Sequence, residues 1–489
     1  MTIKITLMKQ TNTLVALLLL CLTFALPSCA HAADPSSVSG LDLWLRADTG
    51  ITVASGRVSA WADQSGAGNN AAQATAANQP AYTGGIDPSV SFEGVNNQTG
   101  TSPAAWMTTG SLPSVNQQAF SAFMVIERAG NFYPTYASFS TTQVLLGSAS
   151  NALTALHLHG NKLCYLAAAE NLSSLTVPST RVIIGIVSSG TGVILYENGQ
   201  AVSMTAYAAA TTTGLQIGQY NSVATNYGKA DIKCILHYSR TITSSDINAV
   251  TDYLSTTYNV PLQPSYNVVC DGDSITYGYN STINQSWPRM LGRLLGNDFQ
   301  VYNIGVPSEQ IGTLAMTGSQ VGVNGCMAAN AAANVDALIQ AGKTNVLIVF
   351  GGTNDIVSSI GNQTGAAAYT RLMTYLAARR TAGWTKIVVV TSLPRPSGAS
   401  SGSGAGLDET DRLTFNSSIR SGALASCDAI ADAGADSRIG NGPGVTNSAF
   451  YANDNIHLAA SGDYVVASLV RNALLSIINQ PPRQVVPLF

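Results

Sequence analysis

The chain has 489 residues, of which 46% are hydrophobic and only 10% charged, with a net charge of −3. At about 100–200 residues per domain that length implies two to four domains, and a charged fraction far below the roughly 25% of an ordinary soluble domain excludes a disordered chain or a coiled coil. With no basic excess there is no face for a phosphate backbone, so nucleic acids are excluded as partners and recognition must rest on uncharged or local polar chemistry.

Lys4 and Lys9 precede an apolar run at 14–26, which gives way to small residues ending Ala30-His31-Ala32. This is the pattern of a secretory signal peptide over 1–32, cleaved before Ala33, and it predicts a secreted or periplasmic protein. Leu26-Pro27-Ser28-Cys29 resembles a bacterial lipid-attachment box, so anchoring through Cys29 stands as the weaker alternative. The run is shorter than the roughly 20 residues of a spanning helix, and no transmembrane segment is expected. Cleavage leaves Cys164, Cys234, Cys270, Cys326 and Cys427, an odd set with no C-x-x-C pair and no histidine at zinc spacing. No metal site is expected from them, and no cofactor from the chain as a whole.

Residues 38–260 are rich in Thr, Ser, Asn and Gly with short alternating apolar runs, a β pattern. Strands are predicted at 120–127, 182–187 and 193–197, with Asn198-Gly199 as a hairpin turn after the last. A helix over 244–258, capped by Ser244 or Ser245, presents Ile247, Val250 and Leu254 as one stripe. Many short strands imply an all-β sandwich. Leu43-Trp44-Leu45-Arg46-Ala47-Asp48, Ala60-Trp61-Ala62-Asp63-Gln64-Ser65-Gly66, Val90-Ser91-Phe92-Glu93-Gly94 and His237-Tyr238-Ser239-Arg240 resemble the laminin-G-like, concanavalin A-like lectin module of bacterial secreted enzymes. The resemblance implies a jelly-roll sandwich whose uses include glycan binding, protein binding or packing alone. Trp44 and Trp61 are read as core residues rather than sugar platforms, and Asp63 with Asn69 and Asn70 as a turn rather than a calcium site.

Pro261-Leu262-Gln263-Pro264 opens a stiff linker over 261–265, placed between modules expected to have separate cores. From 266 to 479 the pattern becomes strand, helix, strand, helix, with a tail at 480–489. Strands are predicted at 267–270, 300–304, 345–350, 386–391 and 429–431, and helices at 287–295, 330–341, 366–382 and from Ser461 onward. Parallel strands with crossover helices give an α/β/α doubly wound sheet, which binds its ligands beyond the carboxyl ends of the strands.

Chemistry-bearing residues stand at those ends. Asp271-Gly272-Asp273-Ser274 follows the first strand, Asn303-Ile304-Gly305 the second and Gly351-Gly352-Thr353-Asn354-Asp355 the third, while Asp454-Asn455-Ile456-His457 precedes the last helix. These four blocks resemble the SGNH hydrolases, also called the GDSL esterase and lipase family, over residues 266–479. The resemblance implies a flavodoxin-like fold and ester hydrolysis through an acyl-enzyme. A serine needs an adjacent base, and His457 is the only histidine after residue 260. In this reading Ser274 is the nucleophile, His457 the base and Asp454 its orienting partner. The N–H groups of Ser274 and Gly305 and the Asn354 amide supply the oxyanion hole. Asp273 and Asp355 are read as loop supports. Gly398-Ala399-Ser400-Ser401-Gly402 matches the nucleophile pattern of another hydrolase class, but it lies in a Ser/Gly-rich stretch with no helix beside it and is read as a loop.

The function expected is an exported serine esterase that removes short acyl groups, acetyl foremost, from carbohydrate, with glycan binding by the first module. The alternatives are an esterase or lipase on simple aliphatic or lipid esters with the first module as spacer, and a surface-binding protein with an inactive hydrolase module.

Overall fold

The structure, a computed structural model, describes residues 34–478 except 94–104, 111, 113–118, 129–141, 149–153, 160–161, 168, 204–213, 220–227, 280, 282–284, 313–325, 358–359, 361–362, 396–408 and 441–446. The signal segment and the Gly398–Gly402 pentapeptide lie outside the described residues.

Antiparallel strands build the first half in two layers. In one layer Lys229–Tyr238 is central, flanked by Phe120–Arg128 on one side and by Leu41–Arg46 and Ser89–Glu93 on the other. Arg181–Ser188, Val193–Glu197 and Gln200–Ser203 extend it. The second layer runs from Arg57–Trp61 through Met107–Thr109, Leu215–Ile217 and Thr142–Ser148 to Lys162–Ala167. Period-two alternation explains the packing: Ala122, Met124 and Ile126 face the inter-sheet core, whereas Phe123 and Val125 face the opposite way, under Ile247, Val250 and Leu254 of the helix Ser244–Tyr258. That helix is capped by Thr243 in a reciprocal box with Asp246, one residue earlier than expected. Asn198 and Gly199 both have positive φ (47° and 82°), as a two-residue hairpin turn requires. Trp44 and Trp61 are buried. Asp63 accepts N–H bonds from Trp44, Ser65 and Asn69 (2.8–3.0 Å) and ties the loop together.

The second half is a parallel five-stranded sheet in the order second-first-third-fourth-fifth: Phe299–Asn303, Tyr266–Gly272, Thr344–Phe350, Lys386–Val390 and Ala429–Ala431. Val268, Val346, Ile348 and Val388 pack beneath the helices Trp287–Leu295 and Ala460–Ile478. Val269, Leu347, Val349 and Val389 pack beneath Gly365–Ala382 and Glu409–Gly422 on the other face. The helix expected over 330–341 is instead Met327–Asn334 followed by a tight turn at Asp336–Leu338. There the Asn267 amide donates to Leu338 O and the Asn345 carboxamide accepts the Gln340 N–H, diverting that backbone from helical bonding. The helix Glu409–Gly422 was not legible at all. Among the described residues, Cys164, Cys234, Cys270, Cys326 and Cys427 are buried and none is joined in a disulfide.

The apolar cores of the two halves are separate, yet a polar interface joins them. Buried Arg289, on the helix Trp287–Leu295, bonds to Asp231 and Glu127 of the sandwich, and Arg293 joins Glu127 at 2.8 Å. Arg181 bridges Glu127 (2.8 Å) and Asp87 (2.6 Å). Burial alone would raise the Glu127 carboxyl, but Arg293, Arg181, Arg289 and Lys233 outweigh it and hold the group well below the usual range. Glu197 meets the opposite fate. It accepts one bond from Gln300 (2.8 Å), and burial pushes it up to about 8.

Two outcomes follow from these environments. Arg289→Ala removes one buried cation from two carboxylates that keep Arg293, and Glu127 also Arg181, so it should cost about 1–3 kcal/mol in denaturant unfolding; no measurable loss would mean that the remaining cations fully replace it. Glu197 favours the fold while protonated, so its contribution is complete below its unfolded value of 4.5 and is lost as pH rises through about 8. Glu197→Gln should therefore match wild type in stability near pH 4 and exceed it increasingly towards pH 8, as read by melting temperature across that range.

Candidate active site

The first parallel strand ends at Gly272, whose lack of a side chain lets Phe350 O and Thr276 Oγ1 come into contact with the backbone. Asp273 then caps a single helical turn, Ser274–Tyr277, by accepting the Ile275 N–H at 2.9 Å. Gly278, at φ 87°, ends the turn. Ser274 thus stands half-buried beyond the carboxyl edge of the sheet, where an open parallel sheet presents its ligands.

Before the last helix the chain folds back on itself. Tyr451 and Leu458 form an isolated antiparallel bridge, Ala452 N–H donates to His457 O at 2.8 Å, and Asn455 takes a left-handed conformation (φ 55°) at the bend. Asp454 Oδ1 accepts the N–H groups of Ile456 and His457, both at 3.0 Å, while Oδ2 lies 2.6 Å from His457 Nδ1. His457 Nε2 lies 2.8 Å from Ser274 Oγ. Burial would raise the Asp454 carboxyl, but the bond to His457, its charge and the two backbone donors hold it well below the ordinary carboxylate range. An ionised Asp454 can only accept, so the proton of neutral His457 sits on Nδ1 and Nε2 faces the serine as an acceptor.

Gly305 packs on the Ser274–Tyr277 turn, with room for no side chain against Tyr277 N and Thr276. Its N–H donates to Asn303 Oδ1 at 3.2 Å. Asn354 lies in the one-turn helix Thr353–Ile356 after the third strand; its amide donates to Glu309 O at 3.0 Å, tying that strand end to the Gly305 loop, and a second amide N–H remains for other use. Asp355 accepts the Ile311 N–H (3.0 Å), a loop-supporting role like that of Asp273.

Further groups were not singled out in the sequence. The Tyr279 ring packs on the imidazole, with centroids 4.6 Å apart. Buried Arg395, its guanidinium disfavoured by burial, is favoured in turn by the charges of Asp273 and Asp454. Glu309, Asp271 and Asp273 are all buried, and the charges of Asp271 and Asp273 act on Glu309. Burial pushes Asp271 up to about 6 and Asp273 to about 7, and raises Glu309 well above its usual value. Tyr279 and Arg395 carried no signal beyond residue type. Asn303 carried one, as the residue two before Gly305.

Asp454, His457 and Ser274 thus stand in one hydrogen-bonded series, at 2.6 and 2.8 Å, beyond the carboxyl edge of the sheet. Residues 270–464 match the GDSL-like Lipase/Acylhydrolase family. The match to a GDSL-like domain thus lies within the second half of the chain. No curated protein matches the chain in sequence. Among solved structures it is similar to a Trypanosoma rangeli sialidase in complex with sialic acid, at 15% identity and a TM-score of 0.33, over 45% of this chain and 33% of that one. It is also similar to the binding domain of botulinum neurotoxin DC in complex with SialylT, at 10% identity and a TM-score of 0.34, over 45% of this chain and 52% of that one. The chain thus spans a third of the sialidase and about half of the toxin domain. Among the described residues no helix is long and apolar enough to cross a membrane, and no cluster of His, Cys, Asp and Glu is arranged to hold a metal ion.

A serine-directed aryl phosphonate should form one adduct, and peptide mapping by mass spectrometry should place it on Ser274. An adduct on Ser400 would assign the chemistry to the other serine motif.

Proposed function

We propose that this protein is an exported serine esterase that removes short acyl groups, acetyl foremost, from carbohydrate. The observation that carries the hydrolytic part is the continuous series Asp454, His457, Ser274 at 2.6 and 2.8 Å. Ser274 Oγ attacks the ester carbon while its proton passes to His457 Nε2, and Asp454 stabilises the imidazolium. The carbonyl oxygen becomes an oxyanion, received by the N–H groups of Ser274 and Gly305 and the Asn354 amide. As the intermediate collapses, His457 gives the proton to the departing sugar oxygen, leaving Ser274 acylated. Water, deprotonated by His457, then attacks the acyl carbon; the second intermediate releases the carboxylic acid and restores Ser274.

The carbohydrate part is supported by the lectin-like phrases of the first module and by the low charge of the chain, since polymeric glycans offer hydroxyls rather than ions. Export is supported by the basic and apolar pattern of residues 1–32.

The test compares wild type with Ser274→Ala on aryl acetates, on longer acyl esters and on acetylated xylan. Wild type should release acetate from the polymer and lose rate as the acyl chain lengthens, and Ser274→Ala should lose about 10⁴-fold or more in kcat. Retained turnover in a folded Ser274→Ala protein would sink the mechanism. A preference for long acyl chains with no release from the polymer would replace the carbohydrate reading with a lipid one.

A further inference from the structure

Beyond the turn that carries Ser274, the chain comes up against the loop that carries His457. Tyr279 N–H donates to Ser274 O at 3.0 Å and Ser281 N–H to Gly278 O at 3.3 Å, so Ser281 is tied by backbone bonds to the Ser274 turn. Its hydroxyl reaches across to Leu458 O at 3.2 Å, the carbonyl of the residue after His457, and also contacts Asp463 Oδ2. Between these ties the Tyr279 ring lies on the imidazole. Asp463 is anchored in turn: Oδ1 accepts the Trp287 N–H at 3.0 Å, and its own N–H donates to Ala459 O at 3.0 Å.

These contacts fix where a proton must sit. Leu458 O can only accept, and Ser281 has a single hydroxyl proton. With Asp463 ionised, that proton could serve only one of two acceptors, and the other contact would set two lone pairs against each other. With Asp463 protonated both contacts are hydrogen bonds, Asp463 donating to Ser281 and Ser281 to Leu458 O. The surroundings agree. Asp463 is fully buried, and among the described residues no cation pairs with it: the groups bonded to its carboxyl are the Ser281 hydroxyl and the Trp287 N–H. In the loop before it, the ionisable Asp454 and His457 are engaged with each other and with Ser274. The helix Ala460–Ile478 favours a negative charge in its first turn, yet burial prevails and raises the Asp463 carboxyl well above its ordinary value.

We propose that Asp463 and Ser281 are positioning residues of the esterase: neutral Asp463 donates to Ser281, Ser281 donates to Leu458 O, and this clasp holds His457 Nε2 within reach of Ser274 Oγ. It joins the two loops that meet at the site by a bond other than the one that reacts. This rests on the reading of Ser274 as nucleophile and His457 as base.

The test uses the full chain at neutral pH and counts active sites by phosphonate titration, so that a smaller folded fraction does not pass for slower chemistry. Ser281→Ala opens the clasp and should lower kcat on an aryl acetate about tenfold per titrated site with KM little changed, because the base is displaced rather than removed. Asp463→Ala should lose a similar factor. Asp463→Asn should recover most of the rate, since its carboxamide can donate to Ser281 Oγ and accept the Trp287 N–H as the protonated acid does. The infrared difference spectrum of wild type minus Asp463→Asn should contain the C=O stretch of a protonated carboxyl. Amide exchange should quicken in residues 452–459 of Ser281→Ala but not in the helix Gly365–Ala382. Wild-type kcat in Ser281→Ala overturns the proposal. So does a folded Asp463→Asn protein as slow as Ser281→Ala, or a difference spectrum with carboxylate bands alone, because either would mean that Asp463 acts through its charge. If the Asp463 variants do not fold, Ser281→Ala decides alone: the kcat loss at unchanged KM sustains the proposal and wild-type kcat overturns it. A folded wild type that neither hydrolyses esters nor takes up the phosphonate would instead refute the hydrolase reading, and the exchange data would still decide whether Ser281 holds the histidine loop.

Discussion

Glu127 is a carboxylate removed from water, and such a group persists only where cations replace its hydration. Arg181 comes from its own sheet, while Arg289 and Arg293 come from a helix of the other module. That helix is therefore fixed on both sides, by charge towards the sandwich and by Leu291 and Leu294 towards the parallel sheet. Its first residue is held in turn, because fully buried Asp463 accepts the Trp287 N–H at 3.0 Å and bonds to the Ser281 hydroxyl. Asp463 opens the last helix, directly after the loop that carries His457. Position thus passes from a buried charge in the sandwich, through the helix and its bond to Asp463, to the segment next to His457.

The carboxyl groups around Ser274 divide by their partners. Asp454 has an imidazole and two backbone N–H donors and stays ionised. For Asp273 burial prevails, with the charge of Asp355 adding to it, over the backbone donors and the charge of Arg395. Asp454 therefore places a negative charge on the Nδ1 side of the histidine. Asp271 and Asp273 serve as hydrogen-bonding supports, accepting the Tyr375 hydroxyl and the Ile275 N–H respectively.

Much of this was legible from short-range pattern. The five parallel strands announce themselves as buried apolar runs ended by glycine or polar residues, and the four chemical blocks sit at strand ends because doubly wound sheets put ligands there. The Asn198-Gly199 turn was legible for the same local reason. What escaped depends on contacts remote in sequence. The helix Glu409–Gly422 buries Phe415 and Ile419 together with Arg412 and Asn416, so its stripe is half polar and gives little periodic signal. Glu127, Arg289 and Ser179 look like ordinary surface residues until another module is placed against them. The stiff linker indicates separate cores but is silent about a polar interface.

That interface changes what the first module is for. A bare parallel edge strand would be a template for unwanted pairing, and hydrolase modules must cover it somehow. Here the cover comes from 178–181, a connection between strands of the sandwich, with Glu197 on Gln300 a little further along. These residues are spent on the fold and are not available to a ligand. Any glycan must therefore be met by other faces of the sandwich, so binding and edge protection occupy different surfaces of one module. Such a module is retained by the fold itself whether or not it binds anything, and its presence beside a hydrolase is by that measure weaker support for a polymeric substrate than the tethered arrangement read from the sequence alone.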